Sequence, residues 1–304
     1  MKLVSYSKNG HRSFGVMISA ERFVDIRLAG PGAAPIPQTL DEGLREWTKT
    51  LKLGEKCLDA LRTRPASETE IFKRALVDVQ LEPPVSHPSN IIGIGLNYRD
   101  HCREQRVEPP KHPILFSKFS NSIIGPDGII RWNRRLTESV DFEAELAVII
   151  GRRAQAVPVD EAMEYIAGYT VLNDLSARDL QFGDKQWVRG KSLDTFCPMG
   201  PFLATRDEIG EADRLAIRGS VNGVIFQDSN TSEMIFTVPQ LVAFITQGIT
   251  LEPGDVIATG TPAGVGVFRK PPVFLKDGDE VRIWIEKIGE LRNLVKPFDA
   301  ELEA

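Results

Sequence analysis

Two glutamates separated by one residue precede an apolar segment near the middle of the sequence. Glu143 and Glu145 lie within residues 141–145, and residues 146–150 are all apolar. This composition predicts a buried strand on which Glu143 and Glu145 point to the same face. Adjacent buried carboxylates repel each other, and each costs several kcal/mol unless a counter-charge is present. A divalent cation between them would supply that charge. The alternative is a pair of solvent-exposed glutamates, the usual position of this residue type.

A third carboxylate follows another predicted buried strand. The apolar segment 166–173 ends at Asp174, and a short helix is predicted a few residues later. On that helix Arg178 and Gln181 share a face, because residues three positions apart are neighbours on a helix. These residues place a carboxylate, a cation and an amide close to one strand end.

Two more polar groups follow predicted strands. Lys118 ends the segment 114–118, and a glycine-rich loop that includes Gly260 and Thr261 follows the strand predicted at 256–259. The amides and hydroxyls of such a loop can hold a carboxylate, although an ordinary tight turn has the same composition. Polar groups that converge at strand ends predict a functional site.

A histidine and a glutamate three positions apart form a candidate acid–base pair. His101 and Glu104 fall in a segment predicted to be a short helix, where this spacing puts them on one face. A carboxylate beside an imidazole orients it and raises its basicity, which suits a general base. A surface His–Glu pair with no catalytic role is the alternative.

Composition limits the class of protein. The net charge of −5 gives no electrostatic case for binding nucleic acid or an anionic membrane. No apolar run reaches membrane-spanning length, and the N-terminus lacks the apolar core of a secretory signal. Three cysteines without paired spacing favour a reducing cytoplasm and argue against a thiolate zinc site.

Two short motifs resemble nucleotide-binding loops but fail on inspection. After Gly93-x-Gly95, a dinucleotide fingerprint needs a third glycine where this chain has Tyr98. Before Gly190-Lys191-Ser192, a P-loop needs a glycine where this chain has Lys185. The sequence therefore predicts neither a dinucleotide-binding loop nor a phosphate-binding P-loop.

The chain divides into two parts of unequal size. Residues 1–72 contain short strand candidates, a hairpin turn at Asn9-Gly10 and a helix that begins after Thr39, which predict a small α+β N-terminal domain. Residues 73–89 include a proline-rich connector and are predicted to be a linker. Residues 90–304 form the larger, mostly β part, which carries every candidate site residue.

Five blocks in this larger part resemble the fumarylacetoacetate hydrolase family, over about residues 86–295. The blocks are Gly93-x-Gly95-x-Asn97-Tyr98-x-x-His101-x-x-Glu104, Asp141-x-Glu143-x-Glu145-Leu146, Asn173-Asp174-x-Ser176-Ala177-Arg178-Asp179-x-Gln181, Gly190-Lys191-Ser192-x-Asp194 and Thr259-Gly260-Thr261-Pro262-x-Gly264-Val265-Gly266. The resemblance implies an α+β, mostly β fold with a mixed β-roll or barrel catalytic domain, usually in a homodimer. A small N-terminal domain also occurs in this family.

The resemblance also implies roles for the candidate residues. Its metal ligands correspond to Glu143, Glu145 and Asp174, and oxygen ligands independently suit Mg²⁺ or Mn²⁺, with Ca²⁺ as an option. His101 and Glu104 would activate water, and Lys191 would help to stabilise developing charge. The implied substrate-binding residues are Arg178, Gln181, Gly260, Thr261 and Lys118.

The expected substrate is a small 2-oxo acid that chelates the metal through its carboxylate and keto oxygen. Breaking a C–C bond beyond C3 would leave an enolate, whose charge the metal, Lys191 and Arg178 stabilise. We expect first a hydrolase of acylpyruvate-type β-diketo acids, because the complete His101–Glu104 pair can activate water. An oxaloacetate-type decarboxylase, or an isomerase or hydratase of 2-oxo-dienedioates in aromatic-acid catabolism, would use the same metal site.

Two further expectations concern catalysis and specificity. A metal-stabilised binding protein without catalysis is the alternative from another class, and it would have no use for His101, Glu104, Arg178 and Lys191. The residues that choose the substrate tail are expected near 106–112 and 182–188.

Overall fold

The computed structural model describes residues 1–30 and 35–299, so residues 31–34 of the predicted N-terminal domain and 300–304 of the predicted catalytic domain lie outside the described residues. The strands are β1 Lys2–Lys8, β2 His11–Met17, β3 Arg22–Asp25, β4 Lys73–Ala75, β5 Gln80–Glu82, β6 Ile91–Gly95, β7 Ile114–Lys118, β8 Ile123–Ile124, β9 Ile129–Ile130, β10 Val140–Asp141, β11 Ala144–Ile150, β12 Ile166–Asn173, β13 Ser176–Ala177, β14 Cys197–Thr205, β15 Ala216–Val221, β16 Val224–Asn230, β17 Val256–Ala258, β18 Glu280–Ile285 and β19 Gly289–Val295.

The helices are shorter in total than the strands. The α-helices are α1 Leu40–Arg45, α2 Trp47–Thr63, α3 Ala66–Thr69, α4 Arg99–Gln105, α5 Arg178–Gly183, α6 Val188–Lys191, α7 Arg206–Ile209 and α8 Val238–Thr246. Short 3₁₀ helices span Ile26–Ala29, Glu70–Phe72, Leu76–Asp78, Ser120–Ser122, Ala162–Tyr165, Thr231–Glu233 and Gly266–Phe268. Within the described parts of the chain, no helix is long and apolar enough to cross a membrane.

Two sheets pack around the main core. The larger sheet has the order β4-β3-β2-β1-β14-β12-β11-β17-β6-β7, with β5 beside β1 and β8 beside β14. The smaller sheet has the order β16-β15-β18-β19-β9. Alternate side chains of β11 (Leu146, Val148 and Ile150) belong to the same buried cluster as Ile217 and Ile283 of the smaller sheet. Burial of both faces explains why residues 146–150 of β11 are a continuous apolar run rather than an alternating one.

The opposite face of the large sheet is covered by the N-terminal helices. Ala147 and Ile149 of β11 lie in one buried cluster with Phe14 of β2, Leu44 of α1 and Cys57 of α2. Thr39 begins α1 as predicted, and its side chain accepts a hydrogen bond from the Glu42 amide. The molecule is therefore layered as helix, sheet and sheet.

The N-terminal strands continue the sheet of the larger part. β1 pairs antiparallel with β14, and Leu3 faces Leu203 in the register. This shared sheet joins residues 1–72 to the rest of the chain. The division into a separate N-terminal domain, a linker and a catalytic domain stays a prediction.

The predicted fold class is confirmed, with differences in detail. The fold is α+β and mostly β. Within the described residues both sheets are open: the larger has β4 and β7 as its edge strands, and the smaller has β16 and β9. The arrangement is therefore a roll and not a closed barrel.

Candidate active site and metal centre

The register of the large sheet brings four strand ends together. Ala144 at the start of β11 pairs with Asn173 at the end of β12, and Ala147 pairs with Ala258 at the end of β17. β17 runs parallel to β6, with Ala258 beside Gly93. Because β11 is antiparallel to β12 and β17, its first residues meet the last residues of its neighbours. This edge carries the candidate residues.

Three buried carboxylates lie at this edge. Glu143 directly precedes β11, Glu145 is its second residue, and Asp174 directly follows β12. Each offers one oxygen atom, and these three atoms lie within 4.8 Å of one another. The Asp174 amide donates to the Glu143 carbonyl at 3.0 Å, which fixes the two residues side by side. The structure therefore brings together the three predicted metal ligands.

Two lysines neutralise part of this charge. Lys191 Nζ lies 2.7 Å from Glu143 Oε2 and 2.6 Å from Asp174 Oδ2. Lys118 Nζ lies 2.6 Å from Asp174 Oδ1 and also donates to the Lys191 carbonyl. Glu145 forms no ion pair with any described residue, and its Oε2 accepts only the Gly260 amide, at 2.9 Å. One buried carboxylate is thus left without a cationic partner.

The pKa values of the two glutamates diverge for this reason. Burial alone would raise the pKa of Glu143, but the charges of Lys191 and Arg178 outweigh it and lower that pKa to about 2. The pKa of Glu145 is raised well above its ordinary value by burial and by the neighbouring Asp174 and Glu143 charges. A buried acid of raised pKa beside two other buried carboxyl groups is an environment that a divalent cation would stabilise, and the oxygen-only donors suit Mg²⁺ or Mn²⁺. The residues therefore fit the implied metal.

Asp141, which had no role assigned from the sequence, anchors Arg178. Arg178 Nη1 lies 2.8 Å from Glu143 Oε1, and its Nε donates to Asp141 Oδ2 at 2.9 Å. Asp141, fully buried, also accepts the amides of Gly266 and Val267 at 2.8 and 3.0 Å. Asp141 belongs to the second motif block, but its partners come from loops far away in sequence. Its position ties the arginine to the glycine-rich loop.

Gln227 of β16 is a second site residue that sequence reasoning missed. Its Oε1 accepts the Ala144 amide at 2.9 Å, and its Nε2 donates to Thr261 Oγ1 at 2.8 Å. Thr261 Oγ1 in turn donates to the Ala144 carbonyl at 3.0 Å. No local pattern marks Gln227, because its role depends on the packing of the small sheet against β11.

The predicted His–Glu pair is formed on α4. His101 Nδ1 lies 3.0 Å from Glu104 Oε2, and the Gly264 amide donates to Glu104 Oε1 at 2.9 Å. His101 Nε2 lies 2.7 Å from Gln105 Nε2. If Nδ1 carries the proton toward Glu104, Nε2 holds a lone pair, which accepts a hydrogen bond from the Gln105 amide and becomes available to a general base when that amide turns away. The glycine-rich loop therefore orients Glu104, and Glu104 orients the imidazole.

One pocket joins these groups. It is lined by Ile94, Gly95, Leu96, His101, Gln105, Phe116, Glu143, Glu145, Arg178, Gln181, Phe182, Trp187, Lys191, Thr261 and Phe268. Of the predicted substrate-binding residues, Arg178, Gln181 and Thr261 line it, whereas Lys118 and Gly260 lie behind Asp174 and Glu145. The segment 182–188 contributes Phe182 and Trp187, and none of residues 106–112 lines the pocket.

Similarity to known proteins identifies the family of the chain. A family model described as "Fumarylacetoacetate (FAA) hydrolase C-terminal" matches residues 90–296. The mitochondrial oxaloacetate tautomerase FAHD2A of Bos taurus is 46% identical over 263 residues, 86% of this chain and 80% of the relative. Oxaloacetate tautomerase YisK of Bacillus subtilis is 40% identical over 287 residues, 92% of this chain and 95% of the relative.

Similarity to solved structures extends over nearly the whole chain. The fumarylacetoacetate hydrolase of Exiguobacterium antarcticum superposes with a TM-score of 0.82 at 36% identity, and the match covers 98% of this chain and 100% of that one. The match includes the N-terminal strands as well as the larger part. The family model spans more than half of the chain, and the relatives exceed 30% identity over most of their length. The chain belongs to the fumarylacetoacetate hydrolase family of enzymes.

Proposed function

We propose that this protein catalyses keto–enol tautomerisation of oxaloacetate, assisted by a divalent cation. The observation that carries the proposal is a single pocket in which an oriented base, His101, lies with two cationic side chains, Arg178 and Lys191, and a carboxylate cluster. The names of the bovine and bacterial relatives support oxaloacetate as the substrate. Tautomerisation is not among the reactions expected from the sequence, although it is an isomerisation of the same 2-oxo acid class.

The proposed reaction moves one proton. His101 Nε2 accepts a proton from C3 of the keto acid, while Glu104 on Nδ1 stabilises the imidazolium that forms. The negative charge that develops on the keto oxygen is stabilised by Arg178 and Lys191, whose charges are held in place by Asp141 and Glu143. The oxygen then takes up the proton that His101 carries, directly or through a water molecule, so the enol results, the imidazole is regenerated, and no atom is gained or lost. The reverse direction uses the same groups.

Glu143, Glu145 and Asp174 would hold the cation, Mg²⁺ or Mn²⁺. When bound, it would add positive charge beside the keto oxygen and so acidify the C3–H bond. Four buried carboxyl groups, those of Asp141, Glu143, Glu145 and Asp174, face three buried cations in the metal-free chain. A divalent cation would leave one net positive charge there, which matches the carboxylate of a 2-oxo acid.

Hydrolysis of acylpyruvate-type acids is the second candidate. The observation that favours it is the His101–Glu104 pair, which can activate water as well as abstract a proton. Decarboxylation of oxaloacetate would need the same charge stabilisation without a base. The names of the relatives favour tautomerisation over both, so hydrolysis, the first expectation from sequence, stays a prediction.

A spectrophotometric assay separates these reactions. Oxaloacetate enol absorbs in the ultraviolet, and its decay to the keto form is followed with Mg²⁺ or Mn²⁺ and with EDTA, beside separate assays for pyruvate and for acid release from an acylpyruvate. We expect accelerated enol decay that EDTA abolishes, with pyruvate at the spontaneous rate. His101→Asn should lower kcat by roughly 10²–10⁴-fold. Pyruvate or acid release as the only catalysed reaction would exclude the proposal.

A homodimer is proposed on the family resemblance alone. Light scattering after size-exclusion chromatography would give a mass of about twice 33.8 kDa if it is correct. A mass of one chain at micromolar concentration would reject it.

A further inference from the structure

The pocket has an apolar half that the proposed reaction does not use. Its aromatic members are Phe116, Phe182, Trp187 and Phe268, and Ile94 and Leu96 adjoin them. The members with ionisable side chains (His101, Glu143, Glu145, Arg178 and Lys191) form the other half. Oxaloacetate is a small dicarboxylate, so a wall of four aromatic rings offers its second carboxylate no favourable contact.

Two glycines of β6 make room for this wall. A Cβ atom on Gly93 would lie 2.2 Å from Phe116 Cζ, and one on Gly95 would lie 2.5 Å from Trp187 Cζ3. The Phe116 and Trp187 rings meet edge to face with centroids 5.5 Å apart. The Gly93-x-Gly95 motif therefore makes room for two rings of the wall, Phe116 on β7 and Trp187 directly before α6.

The wall extends from the reacting groups to solvent. The Phe268 ring lies with its centroid 6.0 Å from that of His101, and Lys191 Nζ lies 5.1 Å from the centroid of Phe116. Phe182 follows the buried Gln181 and is 60% exposed, although it lines the pocket. Phe182 therefore continues the apolar half of the pocket to the protein surface.

Both cations of the pocket are paired with carboxylates at the end that holds the 2-oxo acid head. Arg178 is paired with Asp141 and Glu143, and Lys191 with Glu143 and Asp174. No other Lys or Arg lines the pocket within the part of the chain that the structure describes. A distal carboxylate would have no free cation at the aromatic wall, whereas an aryl or alkyl group would be desolvated there at little cost.

We propose that the pocket binds 2-oxo acids that carry an aromatic or other apolar substituent on C3, and that arylpyruvates are a second substrate class. This inference rests on the proposed function for its chemistry. The step is the same proton transfer: C3 of the arylpyruvate loses a proton to His101, the keto oxygen gains one, and the enol conjugates with the ring. No oxidant, reductant or co-substrate is required.

Binding is tested first, by calorimetry with Mg²⁺ present. Phenylpyruvate and pyruvate share the 2-oxo acid head and differ only in the ring, so the ratio of their Kd values measures the tail contact. We expect phenylpyruvate to bind at least about tenfold more tightly, from burial of one ring. A ratio near one would overturn the proposal.

Variants of Phe182 test whether the ring of phenylpyruvate binds beside this side chain. Phe182→Ala should reduce the ratio of the two Kd values by about fivefold to tenfold, and Phe182→Arg should reduce it further by putting a cation at the wall. Phe298→Ala is the matched control, because Phe298 is 47% exposed and does not line the pocket. An unchanged ratio in both Phe182 variants would overturn the proposed tail position. Because Phe182 is largely exposed, these substitutions should not prevent folding.

Turnover separates the two proposals. Catalysed decay of phenylpyruvate enol, lost in His101→Asn, would establish the second substrate class. Oxaloacetate turnover without preferential phenylpyruvate binding would overturn this inference and leave the proposed function intact. Preferential phenylpyruvate binding without oxaloacetate turnover would support the aromatic pocket and overturn the proposed function.

Discussion

At the scale of single residues, Glu145 is the group most in conflict with its surroundings. It is buried beside Asp174 and Glu143, has no cationic partner among the described residues, and has a raised pKa. In metal-free protein the folded state therefore keeps the Glu145 proton to a higher pH than the unfolded state does. Stability from this group is present below the unfolded pKa, near 4.5, and is lost as pH rises toward the folded pKa.

This sign gives a prediction for Glu145→Gln in EDTA. At pH 8 the variant should melt at a higher temperature than the original protein, by about 2–4 °C for each kcal/mol of repulsion removed, and the difference should shrink at pH 5. Millimolar Mn²⁺ should raise the Tm of the original protein and not that of the variant. Thermal melts at both pH values test this. Glu164→Gln, outside the carboxylate cluster, is the control, and an equal effect of both substitutions would contradict the account.

Asp141 is expected to contribute strongly to the stability of the folded protein, although it is not a predicted metal ligand. Asp141→Asn keeps the shape but leaves the buried Arg178 with less counter-charge, so it should lower the free energy of unfolding by roughly 3–5 kcal/mol. Urea denaturation measures this, and a loss well below that range would show that Arg178 finds its charge balance elsewhere. The sequence could not reveal this role, because the Gly266 and Val267 amides that bind Asp141 lie 125 and 126 positions away.

The carboxylate triad was accessible from sequence for a local reason. Alternation along one strand relates Glu143 to Glu145, and an antiparallel neighbour that ends at Asp174 adds the third ligand. Gln105 and Gln227 carry no such local signal. Their contacts arise from the tertiary packing of α4 and of the small sheet.

At the scale of elements, the two glycines of β6 are required by the packing of neighbouring aromatic rings and not by nucleotide binding. Gly93-x-Gly95 fails as a dinucleotide motif, and the sequence alone indicates no other role for it. In the structure both glycines face aromatic rings of β7 and of the segment before α6. Ring packing is a tertiary contact, so the pattern of β6 alone could not predict it.

Gly93→Ala tests this packing. The added methyl group would overlap the Phe116 ring, so we expect a loss of about 1–3 kcal/mol in the free energy of unfolding and weaker phenylpyruvate binding. Gly248→Ala is the control, because a Cβ atom added there would have no heavy atom within 4 Å and the φ of Gly248 is not positive. The control should change stability by less than about 0.5 kcal/mol. Equal effects at both positions would argue against the steric explanation.

At the scale of the whole molecule, the large sheet joins the N-terminal strands to the catalytic strands. The pairing of β1 with β14 joins Leu3 to Leu203, and periodicity along the chain does not indicate such a distant contact. The strands of residues 1–26 were predictable one by one. Their place in the sheet was not.

The shared sheet predicts cooperative unfolding. Phe14 is fully buried in the N-terminal layer, and Phe14→Ala should lower the free energy of unfolding by about 3–5 kcal/mol. Three of the four tryptophans lie between residues 132 and 284. Their fluorescence should report the same lowered midpoint in urea as circular dichroism, with one transition. A separate early transition confined to the circular dichroism would instead indicate an independently unfolding N-terminal domain.

The central claim is that the pocket removes a proton from C3 of oxaloacetate with the help of a divalent cation. The most direct measurement is deuterium incorporation at C3 of oxaloacetate in D₂O, followed by NMR above the spontaneous rate. We expect exchange that requires Mg²⁺ or Mn²⁺, is abolished by EDTA, and is lost in both His101→Asn and Glu143→Gln. Exchange at the spontaneous rate in the metal-loaded protein, or full exchange in His101→Asn, would contradict the central claim.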